Sequence, residues 1–352
     1  MSPLTFMGHH LPLDGYGYPT IQIARELKAL DPRVHSLNMA RGGEFSRLDT
    51  DRWRVAGDAV LLCTPDWLPN ISADRIAIYT MTEATRGPAH WPELINRHAQ
   101  LCLAPCRWCA DVFERSGVNV PILVAPWGIN PDHYFYVERA PREPYTFLWS
   151  GTNDRRKGWD VAYRAFIQAF GDSTEARLVL HFRTDLVGQI RFADCNVEKR
   201  VGTIQRSQWL AMLAEADCFV FPSRGEGWGL PPREAAATGL PALVTDWSGL
   251  AHDLEHWGIP IRIAGFSTAR YGVFRDIGEW AEPDVDHLSG QMRWCFEHRA
   301  EAAHIGVRAS RFLRTVTPWS DTAQLVLNAF EMLAALAPAR RPAAYRWEAA
   351  MT

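Results

Sequence analysis

Two glutamates separated by seven residues, Glu226 and Glu234, lie in a segment rich in glycine and proline. The glycines let the loop bend tightly, and the prolines suit the first turn of a helix. A carboxylate can accept two hydroxyls of a ribose or hexose at once, so paired acids on such a loop are suited to binding a polyol. Main-chain amides near Gly229 and Leu230, at the predicted helix start, can donate to hydroxyl or anionic oxygens.

A second loop contains three consecutive cations, Arg155, Arg156 and Lys157, followed by Gly158 and a predicted helix. Helix amides together with a compact ammonium group make a favourable phosphate site. Only three of the 37 basic residues of the chain are lysines, so arginine is used wherever the two are interchangeable. The lysine at this turn therefore predicts a phosphate contact, and the alternative is a solvated basic turn.

A third loop, after the first predicted strand, contains Gly15 and Gly17 just before a helix predicted to begin at Thr20 as its cap. Glycines there allow close approach of a ligand, and helix amides favour an anion. The G-x-G-x-x-G fingerprint is incomplete because Thr20 takes the third glycine position. The alternative is a turn that requires glycine. Three side chains of this loop could also face a ligand: His9, His10 and Tyr16.

Short apolar runs alternate with helical patterns along the chain, which is typical of parallel sheets flanked by helices. Buried strands are predicted at 4–7, 34–37, 59–63, 76–79, 101–103 and 122–125, and, after a proline-rich linker at 130–144, at 146–149, 177–181, 218–221, 242–245 and 260–263. Helices are predicted at 20–30, 108–116, 159–170, 207–216, 232–238 and 320–336. Ligands bind at the carboxyl ends of strands in such sheets, and all three loops follow predicted strands.

The composition is that of a folded protein of about two domains. The 352 residues have a formal net charge of −3, which gives no overall attraction to nucleic acid or to an anionic membrane. No apolar run approaches the roughly 18 residues of a membrane helix, and a signal peptide is not expected. Seven cysteines favour reduced thiols in the cytoplasm. Cys102, Cys106 and Cys109 are predicted to be buried thiols rather than metal ligands.

The segment around the two acids resembles the E-x7-E region of the retaining family 4 glycosyltransferases, which have the GT-B fold. The resemblance covers nearly the whole chain, strongly in 146–250 and loosely in 30–100. Its other motifs are Lys157-Gly158, Phe219-Val220-Phe221-Pro222-Ser223, Leu240-Pro241-Ala242-Leu243-Val244, Asp14-Gly15-Tyr16-Gly17, Pro126-Trp127-Gly128-Ile129-Asn130 and Trp319-Ser320. It implies two facing Rossmann-like domains with parallel sheets, an acceptor-side domain at 1–140 and a nucleotide-sugar-binding domain at 141–318. Residues 319–352 would form a C-terminal helix that crosses back to the first domain, and a tail.

The resemblance also implies roles for individual residues. Glu234 would bind the nucleotide ribose, Glu226 the hydroxyls of the donor sugar, and Lys157 the diphosphate of the leaving group. The amides near Gly229 and Leu230 would hold sugar and phosphate, and the two glycines of the first loop would pass close to the diphosphate. The family usually carries an arginine five or six residues before the lysine, where this chain has Thr152 and Gly151. Arg155 or Arg156 would then take its place.

The implied reaction moves a sugar from a nucleotide-diphosphate sugar to a hydroxyl of a glycan, a lipid-linked sugar or a small molecule. Acceptor-side candidates are His9, His10, Tyr16 and Glu83. The alternative for Glu83 is a solvated acid at a helix start. The attacking hydroxyl would approach on the leaving-group face, so the anomeric configuration is retained and no enzyme nucleophile is assigned. Positioning and neutralisation of the diphosphate would carry much of the catalysis.

No metal or other cofactor is expected, since cations and helix ends would hold the phosphates. The two D-x-D strings, Asp49-Thr50-Asp51 and Asp284-Val285-Asp286, are short enough to occur by chance. Trp228, one of 15 tryptophans, could stack on a sugar, with core packing as the alternative. Other functional classes remain open: a non-catalytic nucleotide-sugar-binding subunit, a nucleotide-sugar epimerase and an NAD-dependent dehydrogenase.

A second reading of the acceptor is a hydroxymethylated base in DNA, as used by phage-type glycosyltransferases. Residues 1–140 hold 13 basic and 15 acidic side chains, and the remainder holds 24 and 25. An enzyme that faces DNA should present a basic stripe, which this balance does not favour but which a local patch could supply. Nucleic acid is therefore a possible partner but not the favoured one, and the oligomeric state is left open.

Overall fold

The computed structural model describes residues 3–12, 14–183, 192, 196–272, 274 and 276–336. The chain forms two compact units. The first contains the described residues of Met1–Gly128, Tyr271–Ile277 and Trp319–Thr352, and the second those of Ile129–Arg270 and Gly278–Pro318. None of the described helices is long and apolar enough to cross a membrane.

The first unit is built on a six-stranded parallel sheet. In chain order its strands and helices are β1 (Leu4–Gly8), α1 (Gly17–Leu30), β2 (Val34–Asn38), β3 (Trp53–Arg54), β4 (Asp58–Leu62), β5 (Ile71–Ser72), β6 (Arg75–Tyr79), α2 (Trp91–His98), β7 (Leu101–Ala104), α3 (Arg107–Arg115) and β8 (Ile122–Val124). The sheet order is β2-β1-β4-β6-β7-β8, and β3 pairs separately with β5. The interior strands β4 and β7 are buried along their whole length, as apolar runs in a sheet covered on both faces should be.

The second unit repeats this architecture. Its elements are β9 (Tyr145–Gly151), α4 (Trp159–Phe170), β10 (Ala176–Phe182), β11 (Val197–Val201), α5 (Arg206–Glu215), β12 (Cys218–Phe221), α6 (Leu230–Ala237), β13 (Ala242–Thr245), α7 (Leu254–Trp257), β14 (Ile259–Ile261), β15 (Ile263–Thr268), β16 (Glu279–Pro283), α8 (Val285–Glu297) and α9 (Arg299–Val316). Six parallel strands run in the order β11-β10-β9-β12-β13-β14, while β15 and β16 form an antiparallel pair.

The last helix, α10 (Trp319–Ala335), belongs to the first unit, where it packs against α1 and against strands β4 and β6. The α/β class, the two Rossmann-like parallel sheets and the return of the C-terminal helix are thus confirmed. The tail at 337–352, with Arg340 and Arg341, lies outside the described residues.

Two local expectations are corrected. Helix α1 begins at Gly17, three residues before Thr20, because the Asp14 carboxylate accepts from the Tyr16 and Gly17 amides at 2.8 and 2.9 Å and starts the helix there. Thr20 is therefore inside the first turn, where its hydroxyl donates to the Tyr16 carbonyl. The segment 130–144, predicted as a linker, is tied to the second unit, since Arg139 donates to main-chain carbonyls that include those of Leu213 and Thr238.

Gly158 explains how the basic turn after β9 approaches the end of β12. Its φ of +70° lies in the left-handed region, and a Cβ atom there would lie 1.9 Å from the carbonyl oxygen of Pro222. Only glycine satisfies both conditions. The approach places Lys157 beside the loop that follows β12.

We expect Gly158→Ala to destabilise the second unit by about 3 kcal/mol, which combines left-handed strain with a steric clash against main chain. Gly117→Ala is the matched control: its φ is +98°, but no atom lies within 4 Å of the added Cβ. The control should cost only about 1–2 kcal/mol. Scanning calorimetry of both variants measures the difference, and equal losses would contradict the clash.

Candidate functional site

Glu226, in the loop after β12, is the centre of a charged cluster at the carboxyl edge of the second sheet. Its Oε1 atom accepts from the Lys157 ammonium at 2.7 Å and from Arg156 at 2.9 Å, and the Ser223 hydroxyl donates to it at 2.8 Å. Both cations come from the loop after β9, the strand that pairs with β12. The structure therefore brings together two of the loops that the sequence singled out.

The charge of Glu226 is stabilised where it lies. Burial, which leaves the residue 5% exposed, would by itself raise the pKa of Glu226, but the charges of Arg156 and Lys157 outweigh burial and hold the pKa below its ordinary value. The described hydrogen bonds to the carboxylate all end on Oε1. Its second oxygen can therefore accept hydroxyls from a ligand.

The two arginines of the basic turn have different surroundings. Arg156 is buried and also donates to the Gly225 carbonyl at 2.7 Å. It therefore binds both the main chain of the loop after β12 and the Glu226 carboxylate. The exposed Arg155 pairs with Glu282 on β16 at 2.9 Å. Of the two candidates for the arginine that the resemblance expects, Arg156 is the one that contacts Glu226.

A further loop, after β13, supports Glu226 and was missed by sequence reasoning. The Glu226 amide donates to the Ser248 hydroxyl at 3.1 Å, and the Gly249 amide donates to the Glu226 carbonyl at 2.9 Å. A Cβ on Gly249 would lie 2.2 Å from the Gly227 carbonyl oxygen, so this contact requires glycine. The Ser-Gly pair directly after a predicted strand was a signal that could have pointed to it.

Glu234 lies in α6, where its environment differs from that of Glu226. Burial raises the pKa of Glu234 to about 7, although hydrogen bonds from Tyr134 and Trp209 and the charge of Arg206 work in the opposite direction. The helix starts at Leu230 after Gly229, whose φ of +83° is left-handed. The amides predicted to bind oxygen atoms are thus at a true helix start.

In the first unit, the glycine loop is shaped by its own chain. A Cβ on Gly17 would lie 2.0 Å from the Leu11 carbonyl oxygen, which is the reason for glycine there, and the Gly17 amide already donates to Asp14. Gly15 has open space around it. These contacts favour the alternative of a glycine-requiring turn at Gly17 and leave Gly15 as the position where a ligand could approach.

The acceptor-side candidates occupy the carboxyl edge of the first sheet but face different partners. His9 is buried, with its ring edge-on to Phe45 and Trp67, and burial lowers its pKa. His10 points to Ser36. Tyr16 fixes the loop after β6, since its hydroxyl bonds to Thr80 at 3.2 Å and accepts from the Met81 amide. Glu83 is half-buried in that same loop.

Both D-x-D strings have structural contacts. Asp51 accepts from the Arg47 amide, and Asp284 caps α8 by accepting from the His287 amide.

Trp228 is 1% exposed, so it is packed inside the protein and does not present a face for stacking on a sugar. The described cysteines, Cys102, Cys106 and Cys109 among them, are buried.

Comparison with known proteins places this site in a family. A sequence model described as "Family 4 Glycosyltransferase in conflict systems" matches residues 107–326, which is more than half of the chain and includes Lys157, Glu226 and Glu234. The chain belongs to this family. A curated relative from Sulfolobus islandicus filamentous virus, named as glycosyltransferase 45, is 23% identical over 191 residues. That match covers 52% of each chain, so the protein spans about half the length of the curated relative.

Superposition on solved structures shows that this protein has the GT-B fold. Sucrose-phosphate synthase from Thermosynechococcus elongatus superposes with a TM-score of 0.68 at 15% identity, covering 95% of this chain and 100% of the other. Anabaena HepE, solved in complex with UDP-glucose, gives the same TM-score at 12% identity and the same coverage. WaaG, from lipopolysaccharide biosynthesis, gives 0.61 at 16% identity, covering 94% and 99%. At these identities the likeness is one of fold.

We expect Glu234→Gln to make the protein more stable than wild type at neutral pH. A folded pKa of about 7 against an ordinary 4.5 means that the folded state keeps a proton which the unfolded state releases. Wild-type stability therefore falls relative to the variant between pH 4.5 and 7, by on the order of 3 kcal/mol, and the difference is constant above that window.

Urea unfolding from pH 4 to 8 measures this difference. Glu331→Gln, at an exposed position of α10, controls for the loss of one negative charge. Parallel stability curves for wild type and Glu234→Gln across the whole range would contradict the buried, proton-holding carboxyl.

Proposed function

We propose that this protein is a retaining glycosyltransferase that moves a sugar from a nucleotide-diphosphate sugar to a hydroxyl acceptor. The observation that carries the proposal is the cluster in which Lys157 and Arg156 converge on Glu226, in the loop that leads into the helix α6 that contains Glu234. The cluster combines cations for a diphosphate with a carboxylate for sugar hydroxyls. Membership of the family and the GT-B fold support the same activity.

The donor is held by the second unit. The Glu234 carboxylate accepts the ribose hydroxyls, and the amides at Gly229 and Leu230 donate to sugar and phosphate oxygens. Oε2 of Glu226 accepts hydroxyls of the donor sugar, while Oε1 keeps its bonds to the protein. Because hydroxyls donate to a charged carboxylate more strongly than to a neutral acid, donor binding draws the proton off Glu234.

Transfer breaks the bond between the anomeric carbon and the phosphate oxygen and forms a bond from that carbon to the acceptor oxygen on the same face. The acceptor proton passes to the departing diphosphate, so the chain supplies no nucleophile. Negative charge grows on the leaving group, and Lys157 and Arg156 stabilise it from fixed positions. Their bonds to Glu226 hold them there before the donor arrives, so little reorganisation is needed.

We propose that no metal ion is required, because Lys157, Arg156 and the start of α6 would supply the positive charge that the diphosphate needs. Cations in this arrangement do electrostatically what a divalent ion does for other phosphoryl leaving groups. The acceptor site is proposed for the first unit, at the edge that contains His9, His10, Tyr16 and Glu83. A glycan, a lipid-linked sugar or a small molecule is the proposed acceptor.

Lys157→Ala should lower kcat for sugar transfer by at least 100-fold, since one fixed donor to a leaving group is worth about that much. The fold should survive, because Arg156 and Ser223 still neutralise and bond Glu226. Lys28→Ala, which removes an exposed lysine of α1, is the matched control and should act like wild type. Undiminished turnover by Lys157→Ala would remove the central claim.

A thermal-shift panel identifies the donor. UDP-glucose comes first, since HepE was solved with it, followed by GDP-, ADP- and dTDP-sugars. At 100 times its Kd, the true donor should stabilise the protein by about 2.7 kcal/mol, with or without EDTA. A shift abolished by EDTA would contradict metal independence. A shift without turnover on any acceptor, hydroxymethylated DNA included, would instead indicate a non-catalytic binding subunit.

A further inference from the structure

Arg233, the residue before Glu234 in α6, is enclosed between two tryptophans, Trp228 and Trp257. Its guanidinium carbon lies 4.0 Å from the ring centre of Trp228 and 4.4 Å from that of Trp257. Arg233 and both indoles are each 1% exposed. A planar cation over aromatic faces in a desolvated site is a strong interaction, of a kind that the ammonium of lysine makes less well.

The same guanidinium joins the two loops that position Glu226. One nitrogen donates to the Trp228 carbonyl in the loop after β12. The other donates to the carbonyls of Gly249 and His252, at 2.9 and 3.1 Å, in the loop after β13. The fork geometry of arginine is what allows one side chain to reach both loops.

Adjacent positions on α6 therefore perform different tasks. Successive side chains on a helix point about 100° apart, so Glu234 faces Tyr134 and Trp209 while Arg233 faces the loops beneath it. Gly229, between the clamped Trp228 and the start of α6, is held at its left-handed φ of +83°. The orientation of the amides at the helix start thus depends on the Arg233 contacts.

We propose that Arg233 is a positioning residue: by clamping loop 226–230 against loop 248–252, it holds the donor-binding amides and Glu226 in their binding geometry. This inference rests on the proposed function, because the donor is the ligand that the geometry serves. Because Arg233 is 1% exposed, it would act on the donor through the loops that it joins.

Donor affinity and amide hydrogen exchange of Arg233→Lys test the proposal. The lysine keeps the charge but loses the planar stack and the fork. We expect it to weaken donor binding at least tenfold and to speed amide exchange in 226–230 and 248–252 at least tenfold in the ligand-free protein. A second variant, Trp257→Phe, keeps Arg233 but reduces one aromatic face of the clamp and removes the indole hydrogen bond to the His252 carbonyl. It should shift both readouts in the same direction by less.

Arg139→Lys is the matched control, since Arg139 also donates to main-chain carbonyls of the second unit but lies outside both loops. It should lower the melting temperature while leaving donor affinity and exchange in the two loops unchanged. Binding by Arg233→Lys that equals wild type, or a loss no larger than that of Arg139→Lys at equal melting temperature, would overturn the inference.

The two proposals fail in different ways. If wild type binds no nucleotide sugar, the proposed function fails and the positioning role for a donor fails with it. If wild type binds its donor but exchange in the two loops is the same in Arg233→Lys, only the positioning role is overturned.

NMR of His252 adds a check, because the charge of Arg233 adds to the effect of burial in lowering the His252 pKa. Arg233→Met should therefore raise that pKa, and an unchanged value would contradict the placement of the charge.

Discussion

Burial of the Glu226 carboxylate is the constraint on which the ligand edge of the second unit depends. A charge this deeply buried is costly unless it is paired and hydrogen-bonded. The loops after β9 and β12 must therefore meet for either to be stable, and the loop after β13 closes on the Glu226 main chain. The contacts that stabilise this edge of the sheet also hold Arg156 and Lys157 next to the Glu226 carboxylate.

The two acids of the E-x7-E segment are set apart by their surroundings rather than by their chemistry. Glu226 has two cations within hydrogen-bond distance, which outweigh burial and keep it charged. Glu234 has hydrogen-bond donors and more distant positive charge, so burial dominates and its pKa reaches about 7. When the surroundings shift the pKa values of two carboxyls in opposite directions, one carboxyl stays charged and the other can gain or lose a proton on ligand binding.

Much of this could be predicted from the sequence, because the apolar runs and glycine-rich loops of parallel sheets have short-range signals. Most strands and six of the described helices were predicted from apolar runs and helical patterns, and the loops with Lys157 and Glu226 were both predicted to follow strands. The contact between Lys157 and Glu226 was not predicted, because it depends on the pairing of β9 with β12. Helix α1 begins at Gly17 rather than at Thr20 because the Asp14 side chain, and not that of Thr20, accepts from the amide at the helix start. Ser248, Gly249 and Arg233 were missed because their contacts join loops distant in sequence, and no local periodicity predicts which carbonyls a buried guanidinium will reach.

At Gly151, one of the two positions upstream of Lys157 where the family pattern has an arginine, a larger side chain is sterically excluded. A Cβ on Gly151 would lie 2.9 Å from the ring of Trp149 and 3.4 Å from the Cβ of Lys157, so a long side chain at Gly151 has no room. Trp149 is fully buried and its indole donates to the Lys157 carbonyl at 2.9 Å, which orients the turn. The tryptophan that excludes an arginine there also supports the turn that contains Arg156. Arg156, further along the same turn, supplies positive charge next to the buried Glu226 carboxylate.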